Sequence, residues 1–204
     1  MFPGRVEDSI IRESLDEVAS MFKWARERIG SGTGVSLILV GGWAVDACNS
    51  WYGSRDIDIM VNSKGGKKLS NYLNQERGFQ KQRDKNGLTR LIKSVHGEEI
   101  IIDFVKKKQE YRGTPDVVEY RFDDSDLNTI QLRNAKTVVV PNKSRLLLMK
   151  IKAAWDRSGQ LEEGVEYNRG YVESKFIKDC GDIIALLDPK FGQDKIMDLG
   201  ILSE

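Results

Sequence analysis

The fold is predicted by Leu37-Ile38-Leu39-Val40-Gly41-Gly42 and, after an interval of thirteen residues, Asp56-Ile57-Asp58-Ile59. The apolar run before the glycines is typical of a buried strand, and the alternation of aspartate with isoleucine predicts a second strand. Because alternate residues of a strand point to the same face, Asp56 and Asp58 project together, with Cα atoms roughly 6.5 Å apart. Two carboxylates at that separation suit a pair of Mg²⁺ or Mn²⁺ ions about 3.5–4 Å apart, as in two-metal phosphoryl-transfer sites.

The glycine pair at the end of the first strand predicts a phosphate-binding turn. Gly41 and Gly42 carry no side chain, so backbone N–H groups can approach a triphosphate closely. The helix predicted over residues 43–49 adds a partial positive charge at its N-terminus. Taken separately, an Asp-Ile-Asp-Ile run is more often a surface strand, and a Gly-Gly pair is usually only a turn. Their order and interval together favour phosphoryl or nucleotidyl transfer, which depends on positioning and charge neutralisation.

The segments Val40-Gly41-Gly42-Trp43-Ala44-Val45-Asp46 and Ser54-Arg55-Asp56-Ile57-Asp58-Ile59 resemble the signature of DNA polymerase β-like nucleotidyltransferases. The resemblance covers about residues 35–105. Two branches are similar: the lincosamide and aminoglycoside nucleotidyltransferases, and the AbiEii-type toxins of abortive-infection systems. The resemblance implies an α+β fold, in which a minimal, twisted mixed sheet is flanked by helices and followed by a C-terminal helical region.

The same resemblance assigns roles to individual residues. Gly41 and Gly42 are expected to bind the phosphates of an NTP, and Asp56 and Asp58 to ligate Mg²⁺ or Mn²⁺. Many members have serine where this chain has Gly42. We expect the Ser54 hydroxyl to replace that contact with the nucleotide.

The superfamily usually adds a third acidic residue from a later strand, and Asp103 is the best candidate. It follows Ile100-Ile101-Ile102, where a charge is costly to bury unless a metal or a partner compensates it. Its expected role is to complete the metal site and to orient or deprotonate the acceptor hydroxyl. Two alternatives remain open: Asp103 ends the buried part of its strand, or the role belongs to Glu98 or Glu99.

Hydrophobic periodicity predicts the remaining organisation. Helices are expected over residues 6–29, 64–76, 143–157 and 171–187, and strands over 35–40, 56–61, 79–83, 88–95, 100–105 and 137–140. Gly30–Gly34 is predicted to be a connection, Asn86-Gly87 and His96-Gly97 to be turns, and 106–136 to be irregular with a break at Pro115. A boundary near Pro141 divides a catalytic domain, 1–141, from a helical region, 142–204.

The first helix of the tail is predicted to be amphipathic. Leu147, Leu148, Ile151 and Trp155 are expected to form its apolar stripe, with Lys150 and Lys152 on opposite flanks. The tail resembles that of the AbiEii-type branch, in which Lys150 matches a family lysine. A contact from Lys150 to phosphate and a solvated lysine are both open. Lys178-Asp179 and Asp182-Ile183 also resemble that branch, and there a structural role is favoured.

Other features have a preferred structural interpretation. Trp43 is expected to pack beneath its helix rather than to stack on a base. His96 lies in a turn, too isolated for acid–base chemistry. Lys106-Lys107-Lys108 is expected to be a solvated strand end rather than a contact to RNA.

Composition excludes several classes of protein. The 204 residues are 40% hydrophobic and 31% charged, with a formal net charge of +1, so there is no global electrostatic case for nucleic-acid binding. No segment approaches the ~18 apolar residues that span a bilayer. Cys48, Cys180 and His96 provide neither a disulfide framework nor a zinc site. We therefore expect a cytoplasmic protein without a membrane partner, whose metal is held by oxygen ligands.

The leading functional hypothesis is transfer of an NMP from an NTP, such as ATP, to an acceptor hydroxyl. An AbiEii-type toxin would use an RNA or protein acceptor and have an antitoxin protein as a candidate partner. The alternative enzyme is an antibiotic nucleotidyltransferase, for which Asp123, Asp124 and Asp126 could line a pocket for a cationic drug. A non-catalytic nucleotide-binding module is disfavoured, because it needs no set of three carboxylates.

Overall fold

The computed structural model describes residues 6–29, 36–50, 53–83, 89–110, 117–120, 122–134, 136–164 and 168–188. In chain order the elements are α1 (Val6–Ile29), β1 (Leu37–Val40), α2 (Gly41–Cys48), β2 (Asp56–Val61), α3 (Ser63–Glu76), β3 (Gln80–Arg83), β4 (Thr89–Val95), β5 (Glu98–Phe104), β6 (Lys108–Glu110), β7 (Val117–Glu119), a 3₁₀ turn (Asp124–Asp126), β8 (Leu127–Gln131), β9 (Thr137–Pro141), α4 (Lys143–Glu162) and α5 (Arg169–Leu187). The predicted α+β class is confirmed. Gly30–Gly34, Asn86-Gly87 and Pro115 lie outside the described residues.

The main sheet has five strands in the order β1-β2-β5-β4-β3. β1 runs antiparallel to β2, β2 runs parallel to β5, and β4 is antiparallel to both β5 and β3. The sheet is therefore mixed, as predicted. β5 lies between strands that precede it in the chain, so its side chains have neighbours on both sides.

The two faces of this sheet differ in chemistry. One face carries apolar side chains that are fully buried: Ile57, Ile59, Leu91, Ile100 and Ile102. Helix α1 covers this face, since buried Glu17 of α1 forms ion pairs with Lys93 of β4 and with Arg77 after α3. On the opposite face the same strands carry Asp56, Asp58, Asp103 and Arg90 together with Ile92 and Ile101, because alternate side chains of a strand point in opposite directions.

Local signals fix the ends of several elements. The Asn62 side chain accepts a hydrogen bond from the backbone N–H of Gly65 at the start of α3, and Asn142 does the same with Arg145 at the start of α4; both are preferred N-cap residues. The predicted His96-Gly97 turn is confirmed, with positive φ angles of 52° and 84°.

The described residues fall into two compact units: those within 1–105 and 129–140 form one, and those within 106–128 and 141–204 form the other. The main sheet belongs to the first unit. β6 and β7 form an antiparallel pair in the second unit, and β8 and β9 form a separate two-stranded sheet. The boundary near Pro141 between a catalytic domain, 1–141, and a helical region, 142–204, stays a prediction.

Helices α4 and α5 pack against each other in the second unit, and two predictions for this part of the chain are wrong. Residues 106–136 are not uniformly irregular, since they contain β6, β7, the 3₁₀ turn and β8. The predicted apolar stripe of α4 is wrong in part: its member Leu147 is buried, but Ile151 and Trp155 are not. Ile151 and Trp155 are 41% and 69% exposed, whereas Leu146, Leu147, Lys150 and Ala154 are buried. Among the described helices, none has the length and apolar character needed to cross a membrane.

Candidate functional site

The predicted carboxylates meet in one row across the main sheet. Asp58 is paired in register with Val40 of β1 on one side and with Asp103 of β5 on the other. Asp103 is paired in turn with Arg90 of β4. Register partners on neighbouring strands lie about 4.8 Å apart and point to the same face. The sheet therefore places the second and third predicted carboxylates side by side.

Asp56 joins this group from one end of β2. It lies two residues before Asp58 on the same face, and both are partly exposed, whereas Ile57 between them is fully buried. Burial of the intervening isoleucine fixes the direction in which the aspartates project. The backbone positions of Asp56, Asp58 and Asp103 thus fit a shared polar face.

Gly41 lies directly against the second aspartate. Its φ angle of +67° is in the left-handed region, where a residue with a side chain is strained. A Cβ atom at this position would overlap the Asp58 carboxylate and would lie 2.7 Å from its Cγ. Asp58 can therefore occupy its observed position only because Gly41, at the strand-to-helix turn, has no side chain.

Helix α2 starts at this turn with no side-chain cap at Val40. A helix of this kind has N–H groups in its first turn that lack intrahelical partners, which suits an anionic ligand. Gly42 is buried in the same turn. The predicted contact of Gly41 and Gly42 with phosphate stays a prediction, and the geometry of the turn is compatible with it.

Ser54 is buried, at 3% exposure, in the segment that leads into β2. The preceding Gly53 donates its N–H to Asp46 Oδ1 at 2.8 Å, and Arg133 forms an ion pair with the same carboxylate. Asp46 and Arg133 thus hold the segment before the aspartates, a role that the sequence analysis missed. The only signal was the position of Asp46 in the quoted glycine segment; nothing in the sequence indicated Arg133.

The third carboxylate has a basic partner that the sequence analysis also missed. Arg90 Nε lies 3.0 Å from Asp103 Oδ1, and the two side chains are 39% and 33% exposed. Among the described residues, no group of three or more histidine, cysteine, aspartate or glutamate side chains is arranged to hold a metal ion. Asp103 is next to Asp58 in register, but its carboxylate is engaged with a guanidinium group.

The alternatives to Asp103 lie outside this row. Glu98 begins β5 and forms an ion pair with Arg55, with 2.7 Å between the charged atoms. Glu99 is exposed and is paired in register with Ser94. Neither is in register with Asp56 or Asp58. The geometry therefore favours Asp103 as the third acidic residue.

The chemistry of the predicted ligands, though not a formed cluster, is compatible with a divalent cation of the Mg²⁺ type. The candidate ligands are carboxylate oxygens, the hard donors that Mg²⁺ and Mn²⁺ prefer. Asp56 and Asp58 share a face, and Asp103 lies on the neighbouring strand at the same level. The Oδ1 atom of Asp103 is held by Arg90.

Lys150 belongs to the second unit, where it is buried between two aspartates. Its Nζ lies 3.2 Å from Asp179 Oδ1 and 2.6 Å from Asp182 Oδ2, and Arg157 also pairs with Asp179. The alternative of a solvated lysine is wrong, because the charge is satisfied inside the α4–α5 pair. A structural role for Asp179 and Asp182 agrees with this cluster. The contact of Lys150 with phosphate stays a prediction.

Trp43 packs as expected. It is fully buried, and its indole N–H donates to Ser14 Oγ at 2.9 Å. A side chain in this position supports the junction of α1 and α2 and is not available to stack on a base.

A separate cavity of about 560 Å³ is lined by residues of α1 and α3 together with Arg77 and Lys136. Within it the rings of Trp24 and Tyr72 stack with centroids 5.1 Å apart. Because α1 covers the apolar face of the sheet, this cavity is not part of the carboxylate row.

Comparisons with known proteins identify the fold. No protein-family model and no curated protein sequence matches the chain. The lincomycin-bound structure of the lincosamide antibiotic adenylyltransferase LnuA matches with a TM-score of 0.51 and 16% identity, over 86% of this chain and 96% of that one. An antigenic nucleotidyltransferase-like protein from Paracoccidioides brasiliensis matches with a TM-score of 0.51 and 14% identity, over 94% of this chain and 87% of that one. At these identities the similarity concerns the fold.

Proposed function

Since the chain has the nucleotidyltransferase fold, we propose that it transfers an NMP from an NTP to an acceptor hydroxyl, with Mg²⁺ held by Asp56, Asp58 and Asp103. The observation that carries this proposal is the register of the main sheet. It places Asp58 beside Asp103, while Gly41 lies against Asp58 without a side chain. A binding module without catalysis needs no such set.

Each residue has a defined task in the proposed reaction. Gly41 and Gly42 present backbone N–H groups to the β- and γ-phosphates, and the Ser54 hydroxyl adds a further donor. Asp56 and Asp58 would hold the divalent cation that offsets the charge of the triphosphate. Asp103 accepts the proton of the acceptor hydroxyl. The new bond joins the acceptor oxygen to the α-phosphorus, and the bond from that phosphorus to pyrophosphate breaks.

Bound Mg²⁺ would neutralise phosphate charge and stabilise the leaving pyrophosphate. The protein's own contribution is mainly positioning, as in other phosphoryl-transfer sites. We place the activity in the cytoplasm, where NTPs and Mg²⁺ are available.

Two classes of acceptor follow from different observations. The resemblance of the tail sequence to AbiEii-type toxins is the ground for an RNA or protein acceptor with an antitoxin partner; the buried Lys150–Asp179–Asp182 cluster has a structural role and does not bear on the acceptor. The fold match to LnuA, which spans 96% of that protein, supports a small-molecule acceptor such as an antibiotic. The proposed acidic drug pocket is weakened, because Asp126 is paired with Arg145 and participates with Asp123 in a capping box.

To test this, the protein is incubated with Mg²⁺, one α-labelled NTP at a time, and one candidate acceptor. The acceptors are total RNA, cellular protein, lincomycin and an aminoglycoside. Label is expected in one acceptor class with the wild-type protein. Asp56→Asn and Asp58→Asn should each reduce transfer by at least about 100-fold, since each removes a ligand from the metal site. Asp16→Asn is the matched control, because Asp16 is exposed on α1.

Near-normal transfer by either site variant would show that the metal assignment is wrong. Binding of an NTP without transfer to any acceptor would instead favour the non-catalytic nucleotide-binding module.

A further inference from the structure

Arg90 is the one basic side chain of the row that contains Asp58 and Asp103. It lies on β4, in register with Asp103, and the strand pairing directs it to the same face as the carboxylates. Its Nε atom is 3.0 Å from Asp103 Oδ1. A divalent cation that binds Asp103 Oδ1 would therefore compete with the guanidinium for that oxygen.

The position of Arg90 distinguishes this ion pair from others on the sheet. Arg55 and Glu98 form a pair of similar exposure, with 2.7 Å between the charged atoms. Glu98, however, has no register partner among the site aspartates. Loss of the Arg55 pair changes the surface charge near Asp56, whereas loss of the Arg90 pair changes the partner of a proposed metal ligand.

We propose that Arg90 is a positioning residue that holds Asp103 by an ion pair and releases it when a divalent cation binds. This inference rests on the proposed function, because it assumes that Asp103 becomes a metal ligand. Its consequence is that Arg90 weakens the binding of a cation in the absence of nucleotide. Arg90 then keeps the third carboxylate out of the metal site until the site is loaded.

The test is Mn²⁺ binding to the nucleotide-free protein, followed by electron paramagnetic resonance. Arg90→Gln is expected to bind Mn²⁺ about two- to five-fold more tightly, a change that matches the strength of a half-exposed ion pair. Arg90→Lys, which keeps a positive charge but not the guanidinium geometry, should fall between the wild type and Arg90→Gln. Arg55→Gln controls for the general loss of a positive charge near the site.

A double-mutant cycle separates positioning from simple charge repulsion. In an Asp103→Asn background, Arg90→Gln should give no further tightening, because the carboxylate that Arg90 competes for is gone. Thermal unfolding of every variant is measured to check that the fold is retained. A purely structural role for Arg90 would change the unfolding temperature without changing Mn²⁺ affinity.

Two outcomes separate this inference from the proposed function. If Mn²⁺ binds to the wild type and is lost in Asp56→Asn, while Arg90→Gln binds like the wild type or more weakly, the role of Arg90 is refuted and the metal site stands. The same holds if the tightening persists in the Asp103→Asn background. If wild-type Mn²⁺ binding is insensitive to Asp56→Asn, the metal assignment itself fails and the role of Arg90 fails with it.

Discussion

Substitution of Gly41 by alanine tests the contact between the glycine turn and the second aspartate. At φ +67° an alanine is strained by about 1–2 kcal/mol. Its Cβ would also lie 2.7 Å from Asp58 Cγ and 2.9 Å from Asp58 Cβ, and overpacking of this kind costs about 1–3 kcal/mol. We expect Gly41→Ala to lower the free energy of unfolding by about 2–5 kcal/mol and to displace the carboxylate, which weakens Mn²⁺ binding.

Gly78→Ala is the matched control. Gly78 has a similar φ angle of +77°, but a Cβ there would meet nothing within 4 Å. This variant should lose only the backbone contribution of about 1–2 kcal/mol and keep its Mn²⁺ affinity. Urea unfolding with comparison of m-values gives the two free energies, and the difference between them measures the contact with Asp58.

The geometry also predicts which second substitution relieves the clash. In an Asp58→Gly background the three nearest contacting atoms are absent, so Gly41→Ala should cost less than it does in the wild-type background. The reasoning is refuted if Gly41→Ala alone matches Gly78→Ala in both unfolding free energy and Mn²⁺ affinity.

Three further predictions concern other parts of the structure. Asp103→Asn should retain most NTP affinity and lose the transfer step in single-turnover measurements; normal turnover would remove Asp103 from the mechanism. Lys150→Met should destabilise the protein by about 3–5 kcal/mol in urea unfolding, because buried Asp182 loses its ion pair while Asp179 keeps the one with Arg157, whereas exposed Lys23→Met should change little. Hydrogen bonds from Ser125 lower the pKa of Asp123 in the folded protein below its ordinary value. The cap therefore stabilises the fold at any pH above the pKa of Asp123 in the unfolded chain. This stabilisation is lost as the pH falls through the lower pKa of Asp123 in the folded protein. An NMR titration should show the Asp123 pKa rising toward its ordinary value in Ser125→Ala; an unchanged pKa would contradict the assigned cause.

The elements around the site could be predicted because their signals are local. The alternation in Asp56–Ile59 reflects a strand with one buried face, and the glycine pair reflects a backbone that must turn against a carboxylate. Both patterns are contained within a few residues. The α+β class was implied by the family resemblance that these two motifs carry, and the structure confirms it.

The partners of the site residues could not be predicted, because they depend on strand register and helix packing. Arg90 meets Asp103 only after β4 and β5 have paired, and no local pattern marks that arginine. On α4, hydrophobicity placed Ile151 and Trp155 inside, but Lys150 occupies the buried side because α5 supplies two aspartates. Apolar side chains usually mark the buried side of a helix, but on α4 a buried ion pair places a lysine there instead.

The parallel pairing of β2 with β5 has a consequence for how the molecule is made. During synthesis β1 and β2 leave the ribosome well before β5, so the strand with the first two aspartates has one unpaired edge until β5 inserts between β2 and β4. The β3–β4–β5 meander can form from neighbouring segments, whereas the β2–β5 pair must close a longer loop, which slows folding. An exposed edge in this interval is open to pairing with another chain. Pairing of β5 with β2 therefore completes the carboxylate row and covers that edge in a single step.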